Sequence, residues 1–336
     1  MKVIITGGGG FLGRQLCQKL LQRGSLTGPS GAPETITEIV LLDAAFHQPP
    51  ADRRVRHVQG DIGDAATVRA AVGSDPATSI FHLASMVSGE CEERFDDALR
   101  VNLDGGRHVF EAARHLPRTE GTRPRVVFAS SIAGYGGEAM ADPNTDFTKL
   151  TPRTTYGMTK VICELLINDY SRKGFFDGRS VRLPTVIVRP GKPNAAASSW
   201  ASGMFREPLN GEPCALPIRR DQCHPMTGYC TVIESFVALH EVPENKLSGD
   251  RAYVLPAHRV TPTLAASVLQ EIADARGLRL GPIRDAFDAR IQGIVSNWPV
   301  SVDGTRAIAL GLPQPPDLRT IVEQYLEDFG PTRKSA

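Results

Sequence analysis

Three polar residues in the middle of the chain have the types and the spacing that proton transfer requires. Tyr156 and Lys160 are four positions apart, so on a helix their side chains lie on one face. A tyrosine with its ordinary pKa of about 10 is a weak base at neutral pH, but a neighbouring ammonium group favours the phenolate. Ser131 ends an apolar run typical of a buried strand, and its hydroxyl can hold the same substrate oxygen. Together they predict a site that takes a proton from a substrate hydroxyl.

A glycine-rich turn near the start of the chain predicts a second site. Gly7, Gly10 and Gly13 form the pattern G-x-x-G-x-x-G between the β-branched run 3–5 and the helical periodicity of 11–21. The first glycine permits a tight turn, the second lets a pyrophosphate approach the backbone, and the third lets the helix pack on the strand. No G-K-[ST] follows, which excludes a P-loop. The turn therefore predicts a dinucleotide site.

Asp43 closes the apolar run EIVLLD, where dinucleotide-binding folds place an acidic residue on the adenosine ribose. It follows Gly13 by more than the usual 20 or so residues. The stretch 24–37, rich in Gly, Pro, Ser and Thr, accounts for the excess and is expected to be a surface insertion without regular structure. A carboxylate here repels a 2′-phosphate, so NAD is favoured over NADP; a solvated turn aspartate is the alternative. Gly8 and Gly9 are interpreted as spacers.

Strand-like apolar runs alternate with helical segments through the first half of the chain. Runs 2–6, 38–43, 55–61, 78–84, 124–131 and 181–189 have strand character, and 95–114 and 155–172 have helical character. This alternation predicts an α/β fold, a Rossmann-type doubly wound parallel sheet with a smaller C-terminal substrate-binding lobe. We expect residues 1–190 to form the NAD-binding domain, together with a strand and a helix from about 225–256, and 191–336 to form mainly the lobe.

Composition narrows the classes of partner. With 38 basic and 37 acidic residues the formal charge is +1, so no global field attracts nucleic acid or an anionic membrane. No apolar stretch approaches the ~18 residues of a membrane span, and the N-terminal run is too short for a signal peptide, so a cytoplasmic location is expected. The six scattered cysteines form no C-x-x-C pair. The grouping of Cys214, Cys223, His224 and Cys230 is interpreted as plain thiols, and no metal is expected.

On these residues the chain resembles the extended short-chain dehydrogenase/reductase family, the NAD-dependent epimerases and dehydratases. The similar segments are TGGGGFLG, GDIGD, HLAS, VNLDG, SSIAGYG and YGMTK. The resemblance implies catalytic roles for Ser131, Tyr156, Lys160 and Asn102, with Asn102 supporting Lys160 through a water. The cofactor contacts that it implies, with those argued above, are Gly7, Gly10, Phe11, Leu12, Gly13, Asp43, Asp61, Ile62, Leu83, Ala84, Ser85, Tyr156 and Lys160.

Departures from the family pattern point to the substrate. Ile132 and Ala133 stand where the dehydratases carry an Asp-Glu pair, which disfavours dehydration. Arg189 falls where many nucleotide-sugar enzymes have an asparagine, and a guanidinium suits a carboxylate. This stretch resembles the branch of D-erythronate dehydrogenases, which oxidise a four-carbon sugar acid at C2. The expected substrate contacts are Ser85, Ser131, Tyr156, Arg189, Asn194 and Ser198. A structural salt bridge is the alternative for Arg189, and helix capping for Ser198.

Two further functions stay open at this point. A nucleotide-sugar 4-epimerase uses the same three residues but retains its NAD. A non-catalytic NAD sensor needs the glycine turn but no proton acceptor.

The resemblance also implies a homodimer, or a dimer-based oligomer, in which helices 95–114 and 155–172 pair with their copies. Burial within one chain would produce the same apolar stripes. His224, His258 and Trp298 are interpreted as satisfied or packed residues.

Overall fold

The fold was analysed in a computed structural model that describes residues 1–47, 51–118, 122–193 and 196–330. The strands are β1 (Lys2–Thr6), β2 (Ser25–Thr27), β3 (Pro33–Thr35), β4 (Glu38–Asp43), β5 (Val55–Gln59), β6 (Thr78–His82), β7 (Arg125–Ser131), β8 (Asp177–Leu183), β9 (Thr185–Ile187), β10 (Cys214–Leu216), β11 (His224–Gly228), β12 (Ala252–Val254), β13 (His258–Val260) and β14 (Ile283–Asp285). The helices are α1 (Phe11–Arg23), α2 (Ala65–Val72), α3 (Ser88–Glu93), α4 (Phe95–Ala98), α5 (Gly105–Arg114), α6 (Thr155–Arg172), α7 (Ser199–Leu209), α8 (Tyr229–Glu241), α9 (Pro262–Arg276), α10 (Ala289–Val295), α11 (Thr305–Ala309) and α12 (Leu318–Phe329).

Seven parallel strands form the central sheet in the order β12-β8-β7-β6-β1-β4-β5. The order reverses between β1 and β6, and open α/β sheets bind ligands beyond the carboxyl ends of the strands at such a point. Successive β1 side chains enter different cores: Val3 and Ile5 lie in one, Ile4 in the other. The sheet is thus covered on both faces, and the predicted Rossmann-type fold is confirmed.

The predicted helix 95–114 contains an irregular turn. Between α4 and α5 the segment Leu99–Asp104 is π-helical, and it buries the side chain of Asn102. A π-helical turn inside a longer helix changes the direction of one side chain relative to a regular helix, and such turns are frequent at functional sites.

The predicted strand 181–189 divides at Pro184. Proline has no N–H to donate to a sheet. The chain therefore leaves the central sheet after β8 and continues as β9, which pairs with β11 in a separate three-stranded sheet of order β13-β11-β9. This crossing brings Leu183, Pro184 and Thr185 to the wall of a cavity described below.

The expectation that 24–37 lacks regular structure is wrong. Strands β2 and β3 form an antiparallel hairpin there, and Leu26 and Ile36 are each about 1% exposed within the core. Thr27 binds the Glu241 carboxylate through its backbone N–H at 3.0 Å and its hydroxyl at 2.7 Å. The insertion is held by α8, an element more than 200 residues away in sequence.

A further apolar core lies between the small sheets and helices α7, α9 and α12. Strand β12, although it comes late in the chain, belongs to the central sheet. Among the described residues, none of the helices combines the length and hydrophobicity that crossing a membrane requires.

Candidate active site

The glycine turn joins β1 to α1 and leaves no room for side chains. Gly7 has a φ of +73°, and a Cβ atom there would lie 2.8 Å from the Ala84 nitrogen at the end of β6. Gly9, interpreted above as a spacer, is equally confined, because its Cβ would lie 2.2 Å from the Ala45 carbonyl oxygen. The turn can therefore present backbone, and little else, to a ligand.

Helix α1 begins at this turn without a side-chain cap. Its N-cap residue is Gly10, and no acidic residue stands in its first turn. The first N–H groups of a helix have no partner within the helix, and the positive end of the helix dipole lies there. This end of α1 is therefore suited to a phosphate group.

Asp43 ends β4 beside the turn, and its carboxylate is fixed by backbone N–H groups. Oδ2 accepts from Gly9 at 2.9 Å, and Oδ1 accepts from Ala45 at 3.4 Å. The turn and this carboxylate border a cavity of about 900 Å³, within the size range of cofactor sites. The expected cofactor residues that line it are Gly7, Gly10, Asp43, Asp61, Ile62, Leu83, Ala84 and Ser85. A side-chain-free turn, an uncapped helix and a fixed carboxylate on one cavity fit a dinucleotide.

The other expected cofactor residues lie elsewhere. The Phe11 ring packs against Tyr229 and Phe329, with ring centroids 5.2 and 5.8 Å away. Leu12 and Tyr156 line a second, smaller cavity. Gly13 packs on the turn, where its Cβ would meet the Gly7 carbonyl oxygen at 2.2 Å.

Arg94 and Arg100 also line the larger cavity, and the sequence analysis missed them. Arg100 forms an ion pair with Asp61, whose carboxylate also accepts from the Gly63 backbone at 2.8 Å. No local sequence pattern predicts that these arginines contact a ligand. They reach the cavity only because of the position that α4 and the π-helical turn take beside it.

The smaller cavity, of about 230 Å³, brings Ser131 and Tyr156 together. The Ser131 hydroxyl oxygen accepts from the Ala133 backbone at 3.1 Å, and the Ser131 side chain lies close enough to Tyr156 to lower its pKa. Lys160 lies behind them, with its ammonium 5.4 Å from the centre of the Tyr156 ring and donating to the Ala129 carbonyl at 2.8 Å. The three residues are thus placed for proton transfer at a substrate hydroxyl.

Burial is the main cause of the pKa shifts of Tyr156 and Lys160. It raises the pKa of Tyr156 to about 12, opposed by the nearby Ser131 side chain. It lowers the pKa of Lys160 to about 8. The lowering of the tyrosine pKa that was expected from the lysine does not appear: burial disfavours the phenolate, and the groups that act on the pKa of Tyr156 are Ser131 and Cys91.

Asn102 supports the wall between the two cavities. Its Oδ1 accepts from the Met86 backbone at 2.7 Å, and its Nδ2 donates to the Met86 carbonyl and to Cys91 Sγ, each at 3.3 Å. Ser85 and Met86 line the larger cavity, and Val87 lines the smaller one. The role expected for Asn102, support of Lys160 through a water, stays a prediction.

A buried ion pair that sequence reasoning missed fixes α6 against the sheet. Arg182 on β8 donates from Nη2 and Nε to the Glu164 carboxylate at 2.8 and 3.0 Å. The Ser130 hydroxyl donates to the same carboxylate at 2.5 Å. Glu164 is one turn beyond Lys160, and Ser130 adjoins Ser131. The pair therefore sets the position of α6, which carries Tyr156 and Lys160, relative to the strand that carries Ser131.

The residues that were expected to contact the substrate lie in different parts of the structure. Ser198 lines the smaller cavity and, although it is the N-cap residue of α7, makes no capping hydrogen bond with its side chain. Ser85 lines the larger cavity. Arg189 is not among the described residues that line the smaller cavity, and its guanidinium donates to the Lys192 carbonyl. Asn194 lies outside the described residues.

The smaller cavity also has lining residues that were not predicted to touch a substrate. These residues include Ser88, Thr185 and Trp298. His258, by contrast, is satisfied as expected, because its Nε2 lies 2.6 Å from the Pro316 carbonyl oxygen.

Comparisons with known proteins agree with this geometry. A family model described as the NAD dependent epimerase/dehydratase family matches residues 3–227. A D-erythronate dehydrogenase of Cupriavidus necator is 42% identical over 98% of this chain and 99% of its own, and one of Haemophilus influenzae is 36% identical over 97% and 99%. A crystal structure of a nucleoside-diphosphate-sugar epimerase from Agrobacterium tumefaciens superimposes with a TM-score of 0.86 at 35% identity, covering 98% of this chain and 94% of that one.

Proposed function

The chain belongs to the NAD-dependent epimerase/dehydratase family, and on that premise we propose that it oxidises the C2 hydroxyl of D-erythronate to give 2-oxo-tetronate. It is an NAD-dependent oxidoreductase acting on a CH–OH group. We propose the identity of the substrate, the identity of the product and the roles of the residues.

The size of the smaller cavity carries the proposal. At about 230 Å³ it falls below the ~300–1,000 Å³ typical of sites for drug-sized ligands. A four-carbon acid suits that volume, whereas a nucleotide sugar requires a larger site. Its described lining is apolar or hydroxyl-bearing and includes no lysine or arginine to hold a diphosphate. The volume favours a small sugar acid, and a lining without cations disfavours a diphosphate, which carries more charge than one carboxylate.

The residues of the chain have separate tasks in this reaction. Gly7, Gly10 and Asp43 would hold the dinucleotide. The chemistry that NAD supplies when bound is acceptance of a hydride from the substrate carbon. The Ser131 hydroxyl orients the substrate hydroxyl, and Tyr156, as the phenolate formed after its own proton is released to solvent, takes the substrate proton at Oη. Because burial raises the pKa of Tyr156 to about 12, oxidation should accelerate as the pH rises above neutrality.

Lys160 keeps a positive charge near the Tyr156 ring while it is protonated. Burial lowers its pKa to about 8, so the ammonium persists at neutral pH.

We further propose that residues 1–190, with about 225–256, bind NAD, and that 191–336 mainly bind substrate. A homodimer through the two helices is also proposed. Its support is the exposure of apolar side chains there, Phe95 at 53% and Leu165 at 61%.

The test is NADH formation, followed by absorbance, with NAD and a panel of four- to six-carbon sugar acids. We expect turnover with D-erythronate, and a Tyr156→Phe variant to lose about 10²- to 10⁴-fold in kcat. Tyr170→Phe is the matched control, because Tyr170 lies at the far end of α6 and binds Glu111. NAD binding without turnover on any acid would instead support a sensor.

A second function has its own supporting observation, the likeness to the Agrobacterium epimerase structure. That alternative, a 4-epimerase, predicts NAD retained through purification and UDP-galactose formed from UDP-glucose. Formation of UDP-galactose, with every sugar acid inactive, would refute the dehydrogenase proposal.

A further inference from the structure

We propose that the hydroxyl groups of Ser88 and Thr185 bind the substrate carboxylate, and that His224 is a positioning residue for Thr185. This inference rests on the proposed function, because it assigns the acid group of that substrate. It replaces Arg189, the residue that the sequence suggested for this task.

Ser88 is buried at the start of α3, with 5% of its surface exposed, and lines the smaller cavity. Its oxygen accepts from the Ala197 backbone N–H at 3.1 Å. A hydroxyl carries one proton and two acceptor lone pairs, so this contact leaves the proton of Ser88 available. An anionic carboxylate accepts hydrogen bonds only, and a free hydroxyl proton is what it requires.

Thr185 lies on β9, on the wall of the same cavity, and its Oγ1 is 2.6 Å from Nε2 of His224. His224 is fully buried, and its ring is held between those of Trp200 and Trp298, with centroids 6.0 and 5.6 Å away. Burial lowers the pKa of His224 to about 4, so the imidazole is neutral at physiological pH and carries a single N–H.

The hydrogen-bond partners assign the position of that N–H. Nδ1 of His224 is buried and has no partner among the described residues. A proton on Nδ1 would be an unsatisfied buried donor, which costs more than leaving a buried acceptor unpaired. The proton therefore lies on Nε2, which donates to Thr185 Oγ1. Thr185 then has its own proton free to donate to a ligand, as Ser88 does.

No stronger donor competes for the carboxylate on this wall. The described residues that line the cavity include no cationic side chain. The guanidinium of Arg189 is engaged by the Lys192 carbonyl, and its pKa is lowered by burial and by Arg206. Ser131 and Tyr156 serve the reacting hydroxyl. Two neutral donors to an anion still form charge-assisted hydrogen bonds, which are stronger than neutral ones.

The experiment measures binding of D-erythronate without turnover. The acid is titrated into enzyme saturated with NADH, because this pair of ligands cannot react. The chain has only two tryptophans, Trp200 and Trp298, and both contact His224, so their fluorescence reports occupancy of the cavity. The Kd of NADH, measured separately, checks that the cofactor site is unchanged.

We expect Thr185→Val and Ser88→Ala each to weaken the Kd of the acid by about 10- to 100-fold, the range of hydrogen bonds to charged groups. Thr185→Ser, which keeps the donor, and Arg189→Met should each stay within about threefold. His224→Leu should weaken binding about tenfold, and His224→Gln, whose amide N–H can replace Nε2–H, should restore it. A purely structural role of His224 would not show this rescue.

The inference is overturned if Thr185→Val and Ser88→Ala leave the Kd of the acid within threefold while Arg189→Met weakens it tenfold or more. It is also overturned if His224→Leu and His224→Gln behave alike. Failure of the proposed function has a different signature: the wild-type enzyme then neither binds the acid nor reduces NAD with it. That result removes the inference as well.

Discussion

Replacing Lys160 by methionine removes a buried positive charge while keeping most of the side-chain volume. Lys160 is 4% exposed, and no carboxylate is hydrogen-bonded to its ammonium among the described residues. The group donates to the Ala129 carbonyl at 2.8 Å and lies 4.9 Å from the centre of the Phe128 ring. These contacts compensate the loss of hydration only in part, and the ammonium therefore destabilises the fold.

The pKa gives the size of this effect. Burial lowers the pKa of Lys160 from its ordinary 10.5 to about 8. At about 1.4 kcal/mol for each pKa unit, the buried ammonium costs roughly 3 kcal/mol of folding free energy at neutral pH. The variant also loses the hydrogen bond to the Ala129 carbonyl, which reduces its gain in folding free energy by about 1 kcal/mol. We expect the Lys160→Met variant to be about 2 kcal/mol more stable than the wild type near neutral pH, although dehydrogenase activity is lost.

The sign of the pH dependence follows from proton binding. Between about pH 8 and 10.5 the unfolded chain still holds the lysine proton that the folded chain has released, so the stability of the wild type rises with pH across this window. The advantage of the variant should be full below about pH 8 and should vanish by about pH 10.5.

The assay is urea unfolding of the cofactor-free proteins at several pH values, because bound NAD would add its own stabilisation. Lys173→Met serves as the control, since Lys173 is exposed just beyond α6 and should show no such window. A variant that is less stable than the wild type at neutral pH, or an advantage that does not shrink towards alkaline pH, would refute the reasoning.

Two further predictions concern the cavity beside the glycine turn and helix α6. Asp43→Ser removes the carboxylate that repels a 2′-phosphate, and kcat/KM with NADP relative to NAD should rise at least about tenfold; an unchanged ratio would exclude Asp43 as the discriminating residue. Glu164→Gln leaves the buried Arg182 guanidinium with only the more distant Asp146 carboxylate, at 4.0 Å, and should lower the free energy of unfolding by about 3 kcal/mol, measured by urea titration beside the exposed control Glu271→Gln, which should change it by less than about 0.5 kcal/mol. Equal losses in the two glutamine variants would contradict the second prediction.

The elements that the sequence predicted well are those with a long local pattern. Helix α6 spans 155–172 as predicted, because its periodicity continues for five turns between a capping Thr154 and the glycine at 174. The hairpin in 24–37 has strands of only three residues among turn-forming residues, and no period can be recognised in so short a run. Its order comes from Leu26 and Ile36 entering the core, a tertiary event.

The residues of the site differ in the same respect. Some are marked by a local sequence pattern, and others depend on contacts with residues that are distant in the sequence. The glycine turn could be predicted because only glycine fits positions such as Gly7, and Tyr156 with Lys160 because helix geometry alone pairs them. Ser88 and Thr185 are ordinary residues in the sequence. Their free protons depend on partners 109 and 39 positions away, Ala197 and His224. Arg189 has the right chemistry for a carboxylate, but it is not among the described residues that line the smaller cavity.

The boundary between the cavities explains why an irregular helix is retained at Asn102. Hydride transfer requires the substrate carbon and the nicotinamide to touch, so the two cavities must adjoin; residues 85–88 run along both, with Met86 lining the larger cavity and Ser88 the smaller. The π-helical turn places the Asn102 amide where it pairs with both backbone groups of Met86. A regular helix over 95–114 would point that amide elsewhere and leave the Met86 N–H without its partner, while the Met86 carbonyl would keep the Ser85 hydroxyl at 2.9 Å. The turn therefore holds the proposed carboxylate donor Ser88 in a fixed relation to the cofactor site, and this task is independent of any role in proton transfer.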